Sequence, residues 1–367
     1  MSSRLGSRGR GSVRRALTWA LLALGAAVGC DGGCGACSGG APKAGALVEP
    51  EARVELLDPG SAPRVELEVG RWQGLTYHWQ VRNESSFGLQ GNKPIKAPTV
   101  VANMTFQVTH GTADPVLRER GGRTLRLVEE RATVDSIEVD PKGLSPELVT
   151  ALNQGLAGYA GTRTRTLVGE DGELVEMKTE LVGGVEPAPE EKEMLDRTWE
   201  VQRRFPFRLP PAAVGVGGKW RFSETIEMSG VKAVQVAEMT VTQIHASEVV
   251  IRVQVRQHAP RQELIHPFAP GKTALLEQFR GDGDGELTID RLTGIPMQGK
   301  LSVTGRLTLA TVGKPNERMS FIAASVLRSS ARILGEGGLD PLPDAGEDME
   351  ADGGPPLDAA SDADGAP

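Results

Sequence analysis

The chain has 367 residues, with 41 basic against 48 acidic side chains, a formal net charge of −7, 46 glycines, 24 prolines and only 4 % aromatic residues. Nine of the acids, and no basic residue, fall in the last thirty positions, so everything before them is close to electrically balanced. A chain without a basic face cannot neutralise a run of phosphates, which excludes nucleic acid as a partner. The length allows one large domain or two halves with a real core.

Residues 1–29 read as a secretory leader. Arg4, Arg8, Arg10, Arg14 and Arg15 come with no acid, thirteen mostly apolar residues follow from Ala16 to Val28, and small residues lead to Cys30. A bilayer span needs about 18 or more apolar residues, so this run is too short to anchor the chain and cleavage is expected. Ala27-Val28-Gly29-Cys30 resembles the lipobox of bacterial envelope lipoproteins, with Ala27 standing where the pattern most often has Leu. The resemblance implies diacylglyceryl transfer to the Cys30 sulfur, cleavage after Gly29, and attachment to a membrane through palmitate-like chains. Two or three such chains hold a protein stably where one holds it only marginally. It also implies a place in the bacterial cell envelope, lipid-anchored at the outer membrane or, given Asp31, at the periplasmic face of the inner membrane.

Residues 30–50, dominated by Gly and Ala, read as a flexible tether of roughly 25 Å. Cys34 and Cys37 lie in it at C-x-x-C spacing, which in an exported protein points to a small local disulfide or to pairing with another chain. No nearby histidine completes a zinc set, and no βαβ pattern surrounds the pair as a redox motif would require.

From residue 51 to 335 the pattern is mainly strand. Leu75, Tyr77, Trp79 and Val81 alternate with Thr76, His78, Gln80 and Arg82, and Val100, Ala102, Met104, Phe106 and Val108 alternate with polar neighbours in the same way. Further strand-like runs cover 124–139, 163–168, 174–181, 220–228, 234–244, 249–257, 286–289, 299–310 and 318–327. Polar residues between apolar ones describe antiparallel sheets with one wet face rather than a buried parallel sheet. Ser145 and Pro146 form an N-cap and first turn ahead of a stripe of Leu148, Val149, Leu152 and Leu156. A second helix is expected from Pro189 to about Arg203, opened by Glu190, Glu191 and Glu193 at the positive end of its dipole and stopped by Pro206, Pro210 and Pro211. The fold class is therefore mainly β with some α. It is expected to be one large curved antiparallel sheet, or two related β halves at 51–186 and 205–335, with two helices between or against them. Residues 336–367, made of Asp, Gly, Ala and Pro, have almost nothing to bury and read as a disordered acidic tail.

The halves look faintly alike. Gly70-Arg71-Trp72 precedes alternating strands and Gly169 to Leu174 opens a late one; Gly218-Lys219-Trp220 and Gly281 to Leu287 repeat that order at a different spacing. Asp282-x-Asp284-Gly285 has the flavour of a calcium loop, but Arg280 stands where the first carboxylate belongs, and glycine-aspartate runs favour a tight hairpin turn. Gly215 to Lys219 is glycine-rich like a phosphate loop, yet Trp220 occupies the position of the hydroxyl ligand. His78, His110, His245, His258 and His266 show no pairing that presents two nitrogens to a metal, and no G-x-S-x-G elbow occurs. Without a nucleophile, base and orienter the chain reads as a non-enzyme with no cofactor.

The lipobox, the G-x-W strand start and the passage from Phe207-Arg208-Leu209-Pro210-Pro211 to Gly217-Gly218-Lys219-Trp220 together resemble uncharacterised β-rich lipoprotein families of Gram-negative envelopes. Envelope lipid-carrier lipoproteins, whose curved sheet encloses an apolar cavity, offer a more distant architectural analogy. Two functions from different classes follow. One is a binding lipoprotein for an apolar or amphipathic, lipid-like ligand, with Tyr77, Trp79, Phe106 and Trp220 as its lining, although buried aromatics also simply fill cores. The other is an interaction module that offers a sheet face or edge to another envelope protein.

Overall fold

The computed structural model describes residues 54–70, 73–120, 123–170, 172–180, 208–228, 231–265, 273–312 and 314–336. The leader, Cys30, Cys34, Cys37, the tether, Trp72, the helix expected at 189–203, His266 and the acidic tail lie outside these residues.

Fifteen strands form one antiparallel sheet. In chain order they are β1 (Val54–Asp58), β2 (Leu75–Leu89), β3 (Ile95–Lys96), β4 (Val100–His110), β5 (Val116–Arg120), β6 (Arg123–Val139), β7 (Arg163–Gly169) and β8 (Leu174–Glu180). There follow β9 (Lys219–Met228), β10 (Val231–Ile244), β11 (Glu248–Ala259), β12 (Gln262–Ile265), β13 (Thr273–Asp290), β14 (Pro296–Thr311) and β15 (Lys314–Glu336). The spatial order is β1-β9-β10-β11-β13-β14-β15-β2-β4-β6-β7-β8, with β3, β5 and β12 pairing off this path on β2, β6 and β13. β2 to β8 make one contiguous block and β9 to β15 another, with β1 crossing over to pair with β9, and the final strand, β15, joins the blocks by pairing with β2 from Phe321–Leu89 to Glu336–Leu75. Of the alternatives open to the sequence, the single sheet is the one formed.

The sheet winds back on itself without closing. Arg208 touches Glu224 of β9 at 3.6 Å, and its Nη1 donates to the Gly172 carbonyl in the β7–β8 turn at 2.6 Å. Those strands are nine interstrand steps apart, roughly 43 Å in a flat sheet. Only strong curvature brings them within one side chain of each other. Part of that curvature is written into β13, where a Cβ on Gly285 would come 2.3 Å from the Lys300 carbonyl oxygen and one on Gly283 would meet that of Ser302 at 2.8 Å. Glycine lets adjacent strands fold over each other at this bend. The Gly281–Gly285 run is therefore the interior of a strand, and the expected tight turn is not there. Glycine and aspartate alternate at period two, so Asp282 and Asp284 point to solvent on the outer face.

One face of the sheet carries the core. A row runs Trp220, Met239, Val253, Gly285, Leu301, Leu327, Asn83, Val100 and Val139 from β9 to β6 in unbroken register. The main clusters sit on this inner side, one around Trp220, Met239 and Ile251, one around Tyr77, Met104 and Phe106, and one around Leu276, Leu309 and Phe321. The outer side is polar. Gln80 donates to Asn103 at 3.0 Å and Asn103 to Ser136 at 2.9 Å, while Arg82 pairs with Asp140 at 2.6 Å. This is the alternation that the sequence displays.

Residues 59–70 cross one end of the curved sheet as a strap. Ser61 and Val65 bond to Val216 and Val214, and Thr112 donates its backbone N–H to Gly70 at the far side. Val65 and Leu67 enter the core from above. The strap runs so close to the β13–β14 turn that a Cβ on Gly294, at φ +70°, would lie 1.6 Å from the Glu68 carbonyl oxygen. At the opposite end, α1 (Pro146–Leu156) covers the tops of β4 and β6. Ser145 caps it by accepting from the Leu148 N–H at 3.3 Å, as its sequence signature implies. Leu152 and Leu156 pack on Val100 and Val139, whereas Leu148 is exposed, so the inward stripe is narrower than the periodicity suggests. It is the one α-helix among the described residues.

Candidate ligand site on the inner face

Two features of the inner face are not explained by a filled core. The first is an apolar strip along β14, β15 and β2. There Val303, Leu307, Ala323, Leu327 and Phe87 point inward, yet each is only half-buried. Val303 and Leu327 pack against the Trp220 cluster and Leu307 and Phe87 against the Phe321 cluster, so the strip borders both while keeping part of its surface open. Gly281, Gly305 and Ser325 share the same face, and the places of the two missing Cβ atoms are taken by the Gln257 side chain and the Phe279 ring.

The second is a set of buried polar groups. On the β9 side, Gln257 donates to Gln235 at 2.7 Å and Gln235 to Glu224 at 2.9 Å. Arg208 completes this chain beside Glu224, with its guanidinium 5.8 Å from the Phe222 ring centre. The Gln257 amide lies over Gly281, where a Cβ would approach its Oε1 to 2.6 Å. This chain is internally satisfied and separates the Trp220 cluster from the Phe321 cluster.

The β7–β8 side differs. Thr162, Thr164 and Thr179 are 0 %, 1 % and 6 % exposed, and the Oγ1 of each is buried with no hydrogen-bond partner. Thr164 and Thr179 face each other in register, and Thr162 precedes Thr164 on the same face of its strand. The buried Nε1 of Trp79 is likewise unpartnered, three strands from β7 on β2. Thr166, next in the series, is satisfied by the Glu130 carbonyl at 3.3 Å, and Tyr77 Oη lies 3.5 Å from Glu130 Oε1. A buried hydroxyl without a partner costs about 1–3 kcal/mol. Three in one patch, on the face that also carries the apolar strip, form an arrangement that an amphipathic molecule would complete.

The aromatic residues singled out by the sequence are placed in two groups. Tyr77 and Phe106 stack at 5.0 Å, and Trp79 meets Phe106 edge-on at 5.6 Å, so these three form one cluster bordering the threonine patch. Trp220 stands apart, fully buried in its own cluster with Nε1 donating to the Arg208 carbonyl at 2.7 Å. The threonine patch and the glutamine chain were not identified from sequence, although each left a trace. Gln235 interrupts the inward register Val231, Ala233, Ala237, Met239, and Thr162, Thr164 and Thr166 alternate with the exposed Arg163 and Arg165.

Electrostatics set the rim rather than the interior. Arg165 donates to Glu129 at 2.5 Å and holds that carboxyl below the ordinary carboxylate range. On the outer face, burial pushes His78 below the usual imidazole value against the opposing pull of Asp135, 3.9 Å away. Among the described residues no group of three or more His, Cys, Asp or Glu side chains is placed to hold a metal ion. Likewise, no described helix is long and apolar enough to cross a membrane. No family model matches the chain, and no curated protein matches it.

Proposed function

We propose that the protein is an envelope lipoprotein, tethered through Cys30, whose curved sheet binds an apolar or amphipathic ligand on its inner face without transforming it. The observation that carries this reading is the pairing of a half-covered apolar strip with buried hydroxyls that no protein group satisfies. Acyl chains would lie on Val303, Leu307, Leu327 and Phe87, and a head bearing hydroxyl or ester oxygens would meet Thr162, Thr164, Thr179 and Trp79 Nε1. Ligand sites typically combine an apolar wall with a few converging polar groups. The unsatisfied hydroxyls support the polar end specifically, because their cost is recovered when a ligand atom bonds to them.

The test is mass spectrometry of protein purified without detergent from its native envelope, followed by titration of stripped protein with a dansyl-labelled fatty acid. A co-purifying lipid-like molecule near one per chain, displaced by the dansyl probe, is the expected result. Protein that carries no small molecule and does not enhance dansyl emission refutes the reading. If it instead retains a stoichiometric protein partner, the interaction-module function replaces it.

A further inference from the structure

We infer that the lip formed by β2, β3 and the start of β15 is a docking surface for an anionic lipid bilayer, separate from any acyl anchor. Where β2 outruns β4 it turns into the short β3, and Ile95 there is 76 % exposed. Leu89, at the end of β2, and Met319, on β15, are exposed beside it, held together by the Gln90 N–H donating to the Ser320 carbonyl at 2.8 Å. Exposed apolar side chains are ordinary when scattered, but these are contiguous with the interior. Ile95 is paired with Phe87, and Phe87 stacks on Phe321 at 5.4 Å, so the surface patch runs directly into the inner apolar strip. Helix α1 covers the neighbouring tops of β4 and β6 and leaves this part of the rim uncovered.

Charge selects the occupant. Lys93 and Lys96 flank Ile95 and are both exposed, so the β3 side of the lip joins an apolar tip to two cations, as suits an anionic bilayer surface, while on β15 Arg318 is paired with Glu277 at 2.8 Å and Glu317 is exposed. Each such lysine near the surface strengthens attachment roughly fivefold. Two other exposed large apolar residues lack the combination. Leu292 sits singly in the β13–β14 turn between Arg291 and Thr293, and Leu117 lies on the off-path β5 between Val116 and Arg118, one residue before Glu119. A lip seated on the bilayer would also give lipid a dry route onto the inner face. Docking does not depend on that route, because it is read without any ligand.

The experiment is hydrogen exchange on the full protein reconstituted into phosphatidylglycerol–phosphatidylethanolamine vesicles and, separately, into phosphatidylcholine vesicles. Amides of residues 89–96 are expected to exchange at least about tenfold more slowly on the anionic bilayer, while residues 116–118 and 291–294 exchange equally on both. Lys93→Gln with Lys96→Gln erases the difference, as does Ile95→Asp, with the melting temperature unchanged. Equal exchange of 89–96 on the two bilayers overturns the inference, and so does slowing centred on 291–294. Slowing that needs no vesicles and rises with protein concentration assigns the lip to a second copy of the chain instead.

Discussion

Replacing the facing pair Thr164 and Thr179 by valine should stabilise the protein and weaken its ligand binding together. Both hydroxyls are buried and unpartnered, and they face each other across β7 and β8. Valine keeps the branched shape and the strand preference of threonine while removing the polar atom. Taking the lower bound of about 1 kcal/mol per unsatisfied hydroxyl, Thr164→Val with Thr179→Val gains roughly 2 kcal/mol. For a domain of this size that corresponds to a rise in Tm of roughly 4–8 °C. Thermal unfolding by circular dichroism of ligand-free protein measures it, and a dansyl fatty acid titration in parallel should show affinity lower by roughly tenfold. A fall in Tm would mean that ordered water or a protein group satisfies these hydroxyls, and the basis for the head-group site would be lost. A rise in Tm with unaltered affinity would leave the hydroxyls as strain without a purpose in binding.

Arg208→Met should cost roughly 3 kcal/mol, because it leaves Glu224 facing a poorly solvated surface and removes the donor to Gly172. Faster hydrogen exchange in the β7–β8 turn would show that the two ends of the sheet have parted, and unchanged exchange there would show that the Arg208 bridge does not hold them. Gly285→Ala should destabilise by about 3 kcal/mol, since the new methyl meets the Lys300 backbone carbonyl and not a side chain that can swing away; a urea midpoint within error of the parent's would contradict the bend. The folded-state carboxyl of Glu129 titrates below its unfolded value of about 4.5. Its contribution is thus fully present above that pH and is lost as the pH falls below it, so Glu129→Gln should flatten the acid limb of the stability curve.

Much of the sheet was legible because its strands obey period two. The alternations at 75–82 and 100–108 identify β2 and β4 and even assign their inner faces correctly. What failed is instructive. Glycine and aspartate at 281–285 carry a turn signal by local propensity, but neighbouring strands on both sides hold the segment extended, and the absence of side chains there serves curvature. Short edge strands such as β3 and β12 were missed because two to four residues cannot display a period. Of the site, the aromatic members stood out by residue type. The threonines did not, because a threonine facing inward and one facing water read alike until the strand's register assigns its face.

The pairing of β15 with β2 carries a consequence for how the protein comes into being. Leu75–Leu89 must wait for Phe321–Glu336, more than 230 positions later, before its free edge is filled. Until those last residues emerge, the first block presents an unpaired edge carrying Val81, Phe87 and Leu89, the kind of edge on which other chains add. Most other strands pair with near neighbours in the chain, so this one remote pairing is the slow step of assembly. Under the proposed export, β15 would also be the last strand to leave the translocation channel, and the first block would wait there for its partner. Loss of β15 by late truncation would leave β2 and β14 each with one open edge, and the expected product is aggregated chain rather than a smaller folded domain.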